Sequence, residues 1–509
     1  MKAYTIILFF VIGIGIVSAQ PSEEIPLVKI GTITITKKEF VSRYELNPGI
    51  NRRKNDPEGN KTEFLLSMMA EKLLILKAQQ EGWDNDTVLS NAVKQIERML
   101  VRDELYSTEV QQKITLTNEE IKTALQRSAN ELKVYFLFAK TKESADSLHF
   151  LIRKGKSLES FSSGKDSYSE WTGPDSAIAR WGDVDERMEN IIYTLQPQQT
   201  SKPFQLDDGW YIVKVMRRTT YSVTGDAERK VQREKVQTKL RQRKEQTRMS
   251  DYMNTVLRST TTDVNSRLLK STIFHLWDIA QNKNSVRTDS TMFFVDKSLI
   301  TLLHEVMGDS LHYTFVTFPH TVWTLETTLQ KIAETNLATA NPSLSKIRSD
   351  VEQRLRDLID QEYLIQIGYS RGLHQSSAVR KDLKVWRDSY LSQMIKNRIG
   401  DTITVSQKDI EELRRAFSHD TSLIFNNDKA MAKTKEIKTS GDIDRFVGSV
   451  ANSTEITFYE KNFKEIQVST TPSMVFRVLG FGGRMIAVPF VMPQLGWVNY
   501  WHNKDVTLP

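Results

Sequence analysis

Few residue patterns in this sequence are typical of a catalytic centre. The eight histidines are scattered, and none stands four positions from another beside a carboxylate, as in a helical metal site. The chain has no cysteine, which excludes disulfides and thiolate zinc sites. It also lacks a glycine-rich phosphate loop and a Gly-x-Ser-x-Gly motif. The acidic pairs Glu119-Glu120 and Asp185-Glu186 are most simply solvated helix starts. We therefore predict no metal and no cofactor.

The most specific stretch runs over residues 195–218. It begins with a helix end and the turn residues Gln196-Pro197-Gln198-Gln199, and continues through Ser201-Lys202-Pro203-Phe204 to Asp207-Asp208-Gly209. An alternating run from Trp210 to Val215 follows and closes at Arg217-Arg218. This order predicts a turn, a short strand, a tight turn at the glycine and a final strand.

Other elements must precede this stretch to position it. Residues 132–140 alternate as a strand, residues 144–154 form a helix that ends at Gly155, and residues 158–162 form a second, short helix. The Trp181-Gly182-Asp183 loop and a helix over residues 187–195 lead into the final turn. Such an order of strand, helices and strands predicts a small antiparallel sheet packed by helices.

This segment, residues 131–219, resembles a parvulin-type (PpiC, rotamase) peptidyl-prolyl isomerase domain. Parvulins act on the bond before proline without a cofactor, by holding the substrate twisted in an apolar pocket beside a hydrogen-bonded polar cluster. The resemblance puts Tyr135 and Tyr211 at the two histidine positions of that cluster. The central acidic position falls near Trp171, and Glu170 next to it is a substitute. Nearly every polar member of the cluster is thus replaced.

The same resemblance assigns the pocket. The family's Met and Phe correspond to Val184 and Met188, and Leu206 stands where a Thr or Ser is usual. A degenerate cluster of Tyr135, Glu170 and Tyr211 is all that remains of the catalytic set, and Tyr135 and Tyr211 are equally well interpreted as a cross-strand aromatic pair that packs the sheet. The residues expected to contact substrate are Tyr135, Val184, Met188, Phe204, Leu206 and Tyr211.

Residues 20–130 carry a second resemblance. A strand pair around Gly31 leads into a Thr36-x-x-Glu39 capping box, two long amphipathic helices separated by Gly82, and a Thr117-x-x-Glu120 capping box. This order is similar to the N-terminal domain of SurA-type periplasmic chaperones. In such chains a later helix returns to complete the domain. The basic helix over residues 229–257, in the segment 220–275, is expected to do this here, which makes the parvulin-like domain an insertion.

The second half of the chain repeats the first. Residues 65–83 match residues 355–373, and the helix-ending glycines Gly82 and Gly372 lie 372 − 82 = 290 positions apart. The cap at Thr117 corresponds to Ser406, and the cap at Thr36 corresponds to Thr324. We predict a second SurA-N-like unit over residues 276–420. Residues 421–509 are expected to be a degenerate or truncated parvulin-like module, with a strand at residues 431–440 and a helix at residues 442–450.

The first residues and the charge bear on location and partners. Residues 1–19 have a charged start, a short apolar stretch and a small-residue cleavage site, which predicts a signal peptide cut after Ala19 and, less readily, an uncleaved anchor. No later apolar run reaches membrane-spanning length, so we expect a periplasmic protein without stable membrane insertion. The net charge of +7 is concentrated on the basic helix, whose solvated face is a better interpretation than nucleic-acid binding.

Together these patterns predict an α+β protein with mostly helical SurA-like domains, a parvulin-like domain and an internal duplication. The expected function is a periplasmic chaperone of the peptidyl-prolyl isomerase family, which holds unfolded or proline-containing exported and outer-membrane polypeptides and has weak or no isomerase activity. Two alternatives stay open: an active parvulin-type isomerase that uses the altered cluster, and a scaffold protein of the cell envelope.

Overall fold

The computed structural model describes residues 25–47, 52–53, 55–161, 171–222, 225–258, 260–281, 292–469 and 475–502. The predicted signal peptide and Glu170 lie outside these residues. The described chain divides into two compact units, one of residues 110–253 and one that combines the residues up to 109 with those from 254 onwards.

Helices dominate the element order, as the amphipathic patterns predict. The helices are α1 (Lys37–Glu45), α2 (Pro57–Gln80), α3 (Thr87–Glu109), α4 (Asn118–Ser128), α5 (Lys142–Arg153), α6 (Glu186–Ile192), α7 (Asp226–Leu257), α8 (Ser266–Gln281), α9 (Lys297–Met307), α10 (Leu325–Glu334), α11 (Leu344–Ser370), α12 (Ser377–Thr402), α13 (Gln407–Ala416), α14 (Thr421–Phe425), α15 (Asn427–Asn452) and α16 (Glu460–Lys464).

The strands are short except in the central domain. They are β1 (Pro26–Ile30), β2 (Ile33–Thr36), β3 (Asn130–Ala139), β4 (Trp171–Arg180), β5 (Phe204–Gln205), β6 (Trp210–Thr220), β7 (Asp263–Val264), β8 (Met292–Val295), β9 (Thr314–Thr317), β10 (Val322–Thr324), β11 (Leu337–Ala340), β12 (Ile456–Phe458), β13 (Phe476–Val478) and β14 (Arg484–Ile486). The α+β class with small antiparallel sheets is therefore confirmed.

The first unit contains the predicted small sheet. Its strands are antiparallel in the order β4-β3-β6-β5. Side chains alternate between the two faces of a strand, so β3 and β6 contribute to two separate cores. One face packs Val134, Val213 and Val215 with Ile192 of α6. The other face packs Leu137 and Ile212 with the residues of α5. The helices thus cover both faces, as expected for this segment.

The second unit is built from two copies of one element order. In each copy a hairpin leads to a capped helix, a long helix that ends at a glycine, and a second long helix. Gly82 and Gly372 adopt the same left-handed conformation, with φ 73° and ψ 16°. The helix after each second long helix begins in a capping box, at Thr117 and Ser406. The repeated order predicted from the sequence is therefore present in the structure.

The two copies exchange elements. Hairpin β1-β2 of the first copy gains its third strand from β12, which follows α15 of the second copy. Hairpin β9-β10 of the second copy gains its third strand from β7, which follows α7 of the first. Likewise α2 packs on α12, and α11 packs on α3. A two-stranded hairpin is marginally stable alone, so each copy depends on the other to complete its sheet.

One ion pair at each of two contacts between the copies marks this exchange. Lys72 of α2 contacts Asp388 of α12 at 3.0 Å, and its ammonium also lies 2.9 Å from Glu39. At the equivalent positions, 362 − 72 = 290 and 388 − 98 = 290 residues away, Glu362 of α11 pairs with Arg98 of α3. The two pairs have the same place in the repeat and opposite signs. Each therefore lies at an interface between the copies.

The structure corrects two predictions in the second half. The strand expected at residues 431–440 is wrong, because Asn427–Asn452 is one continuous helix. The described part of residues 421–509 also differs from a parvulin-like module: β12 pairs with β1, and Trp497 is fully buried in the same core as Phe40 and Leu73. The apolar residues at 443, 447, 450 and 451 have helical spacing and face this core, which the residues near the N terminus complete.

The segment 220–275 also differs from a single returning helix. It contains α7, the short strand β7 and the start of α8, whose Ile273 belongs to the core of the second copy. The ammonium of Lys244 on α7 contacts Glu120 at 2.6 Å and the carbonyl of Thr115 at 2.8 Å, so α7 does pack on the helix that opens with the Thr117 cap. Whether residues 20–130, 131–219 and 276–420 fold as separate domains stays a prediction.

We predict that Lys72→Met lowers the free energy of unfolding by about 3–5 kcal/mol, because it leaves Asp388 buried without its cation. Urea unfolding followed by circular dichroism measures the loss. The matched control is Lys77→Met, which removes a half-exposed pair with Glu81 on the same helix and should cost less than about 1 kcal/mol. A loss for Lys72→Met as small as that of the control would contradict a stabilising role for the pair.

Candidate functional site

The candidate site is an aromatic surface on one face of the sheet. Tyr211 of β6 lies at its centre, with ring centroids 5.3 Å from Phe138, 6.1 Å from Phe204 and 6.2 Å from Phe136. All four side chains are partly buried. We call Phe136, Phe138, Phe204 and Tyr211 the aromatic surface.

Strand register brings these rings together. Tyr211 is directly opposite Phe138 of β3 on one side and Phe204 of β5 on the other. Phe136 is two residues before Phe138, so both point to the same face. Residues directly opposite each other in neighbouring strands place their side chains about 5 Å apart, which is close enough for aromatic rings to pack.

The turn before β6 requires a glycine. Gly209 has φ +154°, and a Cβ atom there would lie 2.5 Å from Cε2 of Phe138 and 2.8 Å from the carbonyl oxygen of Ala139. Only a residue without a side chain allows the backbone to approach the Phe138 ring this closely. The glycine that the sequence pattern singled out therefore positions one wall of the aromatic surface.

Tyr211 carries the one hydroxyl group of this surface. It donates a hydrogen bond of 2.7 Å to Oδ2 of Asp208. Partial burial, together with that hydrogen bond and the negative charge of Asp208, raises the pKa of Tyr211 to about 12. At neutral pH the group is thus a neutral phenol whose proton is already engaged.

The structure does not bring Tyr135 to this site. Tyr135 is opposite Lys214, and its side chain packs on the other face of the sheet with Leu137, Ile212 and the α5 core. A shift of one residue along a strand moves a side chain to the opposite face. The structure therefore brings Tyr135 and Tyr211 together neither as members of a polar cluster nor as the alternative cross-strand aromatic pair. Phe136 occupies the position beside Tyr211, and strand alternation in Leu132–Lys140 is the signal that could have identified Phe136 and Phe138.

The other predicted contact residues lie on or near the face of the sheet that carries Tyr211. Val184 and Met188 pack in the same core cluster as Phe136 and Phe204. Leu206 is buried, and its backbone N–H donates to the carbonyl of Gly209, so it shapes the turn. The backbone of Trp171 pairs with Ala139 at the start of β4. Glu170, the third member of the predicted cluster, lies outside the described residues.

A buried acid joins this domain to α7. Glu189 of α6 is fully buried and accepts two hydrogen bonds from the Arg243 guanidinium, at 2.7 and 2.8 Å, and one from the Gly182 N–H at 2.5 Å. The guanidinium also lies 5.3 Å from the Trp181 ring centroid. These contacts to Glu189 raise the pKa of Arg243 and keep it charged. The basic helix therefore uses one of its charges to hold the loop that precedes α6.

A groove of about 730 Å³ lies beside this contact, between α4, α6 and α7. Its walls combine apolar residues such as Ile114, Trp181 and Leu240 with charges of both signs. The volume of this groove falls within the range of about 300–1,000 Å³ that is usual for ligand-binding clefts. The sequence did not identify it, because its residues come from three separate elements.

Two further findings concern the described residues as a whole. Among the described residues, no three His, Asp or Glu side chains are grouped so that they could hold a metal ion. None of the helices in the described ranges combines the length and the apolar content needed to cross a bilayer.

Residues 116–225 match the family model of the PPIC-type PPIASE domain. The chain therefore contains a parvulin-type domain, and the prediction of a PpiC-like protein is confirmed. The matched residues include the aromatic surface, the groove-lining helix α4 and the strands β3 to β6 of the sheet. The sequence matches none of the curated proteins.

Several solved structures are similar to part of the chain. The peptidylprolyl isomerase PrsA of Bacillus cereus is 16% identical, with 48% of this chain and 97% of that chain covered and a TM-score of 0.22. The foldase PrsA of Streptococcus pneumoniae is 16% identical, with coverages of 42% and 86% and a TM-score of 0.19. A SurA-like chaperone of Campylobacter jejuni is 12% identical, with coverages of 45% and 95% and a TM-score of 0.18. At these scores the likeness says nothing about what this chain binds.

We predict that Asp208→Asn lowers the pKa of Tyr211 from about 12 towards the ordinary tyrosine value of 10.0, because the charge that disfavours the phenolate is lost. The pKa should stay above 10.0, because partial burial of the ring remains. NMR titration of tyrosine labelled with carbon-13 measures this value, and Tyr211→Phe assigns the signal. An unchanged pKa in Asp208→Asn would show that the charge of Asp208 does not act on the Tyr211 hydroxyl in solution.

Proposed function

We propose that this protein is a periplasmic chaperone that holds unfolded exported polypeptides, and that its parvulin-type domain binds apolar or proline-containing segments with weak or no isomerase activity. The observation that carries this proposal is the composition of the aromatic surface. Three phenylalanines and one tyrosine form it, and the single hydroxyl is committed to Asp208.

This composition favours binding over catalysis. Rotation about the bond before proline must overcome a barrier of roughly 18–20 kcal/mol, because the bond has partial double-bond character. Parvulins lower it with a hydrogen-bonded polar cluster. Here Phe136 and Phe138 lie on the Tyr211 face of the sheet, where such a cluster would be needed, and Tyr135 packs on the other face. Aromatic rings can still pack on a proline ring or on an apolar side chain of a client.

The groove beside α7 supports the holding function. Client polypeptides differ in sequence, and a groove with both charge signs and a few apolar contacts can accept many of them with modest affinity. Such weak contacts allow release without nucleotide hydrolysis, in line with the absence of a nucleotide motif from the sequence. The periplasmic location and the outer-membrane clients belong to the same proposal. For these two points the proposal rests on the predicted signal peptide.

An active isomerase is the second candidate. The observation that favours it is the Tyr211–Asp208 pair, which keeps one hydroxyl beside the apolar surface. The two candidates differ in one measurement. If the protein accelerates proline-limited refolding and this acceleration disappears in Tyr211→Phe, the isomerase is correct and the binding-only proposal is not.

We predict that the full chain suppresses aggregation of an unfolded outer-membrane barrel protein and does not accelerate proline-limited refolding. Phe204→Ala should raise the concentration needed for half-suppression about fivefold, because it removes one wall of the aromatic surface. Light scattering measures this concentration. The matched control is Phe150→Ala, which truncates a side chain that is 55% exposed on α5, outside the site. Equal loss in both variants, with unchanged thermal melting, would refute the role of the aromatic surface.

We also predict that Leu240→Glu weakens client holding about fivefold, because it places a charge on an apolar wall of the groove. The control is Val231→Glu on the same helix, where the side chain is already 49% exposed and lies outside the groove. Fluorescence anisotropy with a labelled unfolded client measures the affinity. If Leu240→Glu binds as tightly as Val231→Glu, the groove has no part in holding clients.

A further inference from the structure

Strand β4 forms one edge of the sheet in the parvulin-type domain. It pairs with β3 on one side, and its other side has no strand partner among the described residues. Residues 175–180 are paired with β3 without interruption, so this half of β4 is regular. A regular edge strand presents a row of backbone N–H and C=O groups to any extended chain.

The hydrogen-bond pattern shows which β4 residues face outward. The Tyr221 N–H donates to the Ala129 carbonyl, so odd-numbered residues of β3 bond towards β6. Even-numbered residues of β3 therefore bond towards β4. The Phe136 carbonyl oxygen agrees with this assignment. It lies only 2.8 Å from where a Cβ atom of Gly173 would be, and Gly173 belongs to β4.

The pairing then assigns the outward groups of β4. The partners of Leu132, Val134 and Phe136 are Ala179, Ala177 and Asp175, and these bond to β3. Between them, the backbone groups of Ser176, Ile178 and Arg180 face away from the sheet. In the described part of the chain, the Arg180 carbonyl accepts from the Asp183 N–H, whereas the N–H and C=O of Ser176 and Ile178 have no hydrogen-bond partner.

Two usual forms of edge protection lie towards one end of this strand, and the charged side chains of Asp175 and Arg180 flank its stretch 176–178. Proline, charged side chains and bulges prevent edge pairing. In β4 the register irregularity and Pro174 lie towards Trp171. The stretch 176–178 consists of Ser, Ala and Ile, all of them exposed, and the Ile178 side chain is 55% exposed. An apolar side chain beside free backbone groups gives an added strand a cross-strand neighbour to pack on.

We propose that the outer edge of β4 at Ser176–Ile178 binds an extended segment of an unfolded polypeptide as an added β-strand. Recognition through main-chain groups does not depend on client sequence, and the exposed Ile178 favours segments with alternating apolar residues. The proposal rests on the proposed function only in that clients are unfolded polypeptides. It uses a different surface, since β3 separates β4 from Tyr211 of β6.

The experiment compares Ile178→Pro with Ile178→Thr in the full chain. Ile178→Pro removes one outward N–H and keeps every hydrogen bond to β3, because proline at an edge position needs no ladder donor. Ile178→Thr retains the N–H and the β-branched shape. The probe is a fluorescein-labelled peptide of ten alternating Thr and Val residues with Lys at both ends. A second version is N-methylated at four consecutive central residues, and anisotropy measures both affinities.

We expect Ile178→Thr to bind the peptide nearly as well as the wild type, and Ile178→Pro to bind it about fivefold more weakly or worse. The N-methylated peptide should lose at least as much with the wild-type protein. If Ile178→Pro lowers the melting temperature, its weaker binding could come from partial unfolding. The N-methylated peptide then still tests the proposal, because it is measured with the wild-type protein. Equal affinity for the methylated and unmethylated peptides would overturn the proposal. It would also be overturned if sedimentation showed a dimer of the chain that Ile178→Pro separates while the peptide does not bind.

The test separates this proposal from the proposed function. The peptide has neither proline nor aromatic residues, so Phe204→Ala should leave its affinity unchanged. Loss of aggregation suppression in Phe204→Ala with intact peptide binding supports both surfaces. If no variant alters aggregation suppression but Ile178→Pro still weakens peptide binding, the aromatic surface fails as a client site and the edge stands.

Discussion

Much of the larger unit depends on the ion pairs that the buried Lys72 ammonium forms. Burial alone lowers the pKa of this group, but Glu39 and Asp388 outweigh that effect and raise it, so the side chain stays charged inside the core. Beside it, the Arg43 guanidinium contacts both carboxylate oxygens of Glu71, at 2.6 and 2.8 Å. Charges removed from water are stable only when each has its partners, which makes this arrangement sensitive to the placement of α1, α2 and α12.

This network also explains why the two halves of the larger unit depend on each other. Helix α12 belongs to the second copy of the repeat, and it supplies Asp388 to a lysine of the first. The Arg98–Glu362 pair repeats the contact with the charges reversed. Lys72 attracts Asp388 but would repel Arg98, which is the residue equivalent to Asp388 in the other copy. In the same way Glu362 attracts Arg98 but would repel Asp388, since like charges would meet. The sign reversal therefore specifies which helix of one copy packs on which helix of the other.

The smaller unit has the turns and strands of a parvulin-type domain, but the sheet face around Tyr211 is aromatic. Gly209 and the paired strands β3 and β6 position four rings on one side of the sheet, where polar groups would be needed for isomerisation. The same unit has two other features suited to extended chains, the groove beside α7 and the open edge of β4. In the functions proposed above, the aromatic surface would act through apolar contacts, the edge through backbone groups and the groove through apolar and charged side chains; contacts of these kinds accept many client sequences.

Local patterns in the sequence predicted most of the elements. Capping boxes at Thr117 and Ser406, stop glycines at positions 82 and 372, and alternation in residues 210–215 are properties of neighbouring residues, so they could be recognised without the fold. The same holds for the repeat itself and for the parvulin-like order of elements. By contrast, the strand predicted at residues 431–440 is wrong although the helix predicted at 442–450 is present, because the apolar positions of this helix face a core that residues near the N terminus complete.

The sequence by itself therefore determined most of the element types, the duplication and the class of the central domain. Tertiary structure decided the rest. It placed Tyr135 and Tyr211 on opposite faces, because pairing register assigns each strand residue to a face and a shift of one residue reverses it. It also decided that β12 completes the sheet of β1 and β7 that of β9, since strand partners are chosen by contacts between residues far apart in the chain. A pattern of neighbouring residues carries no information about such long-range partners.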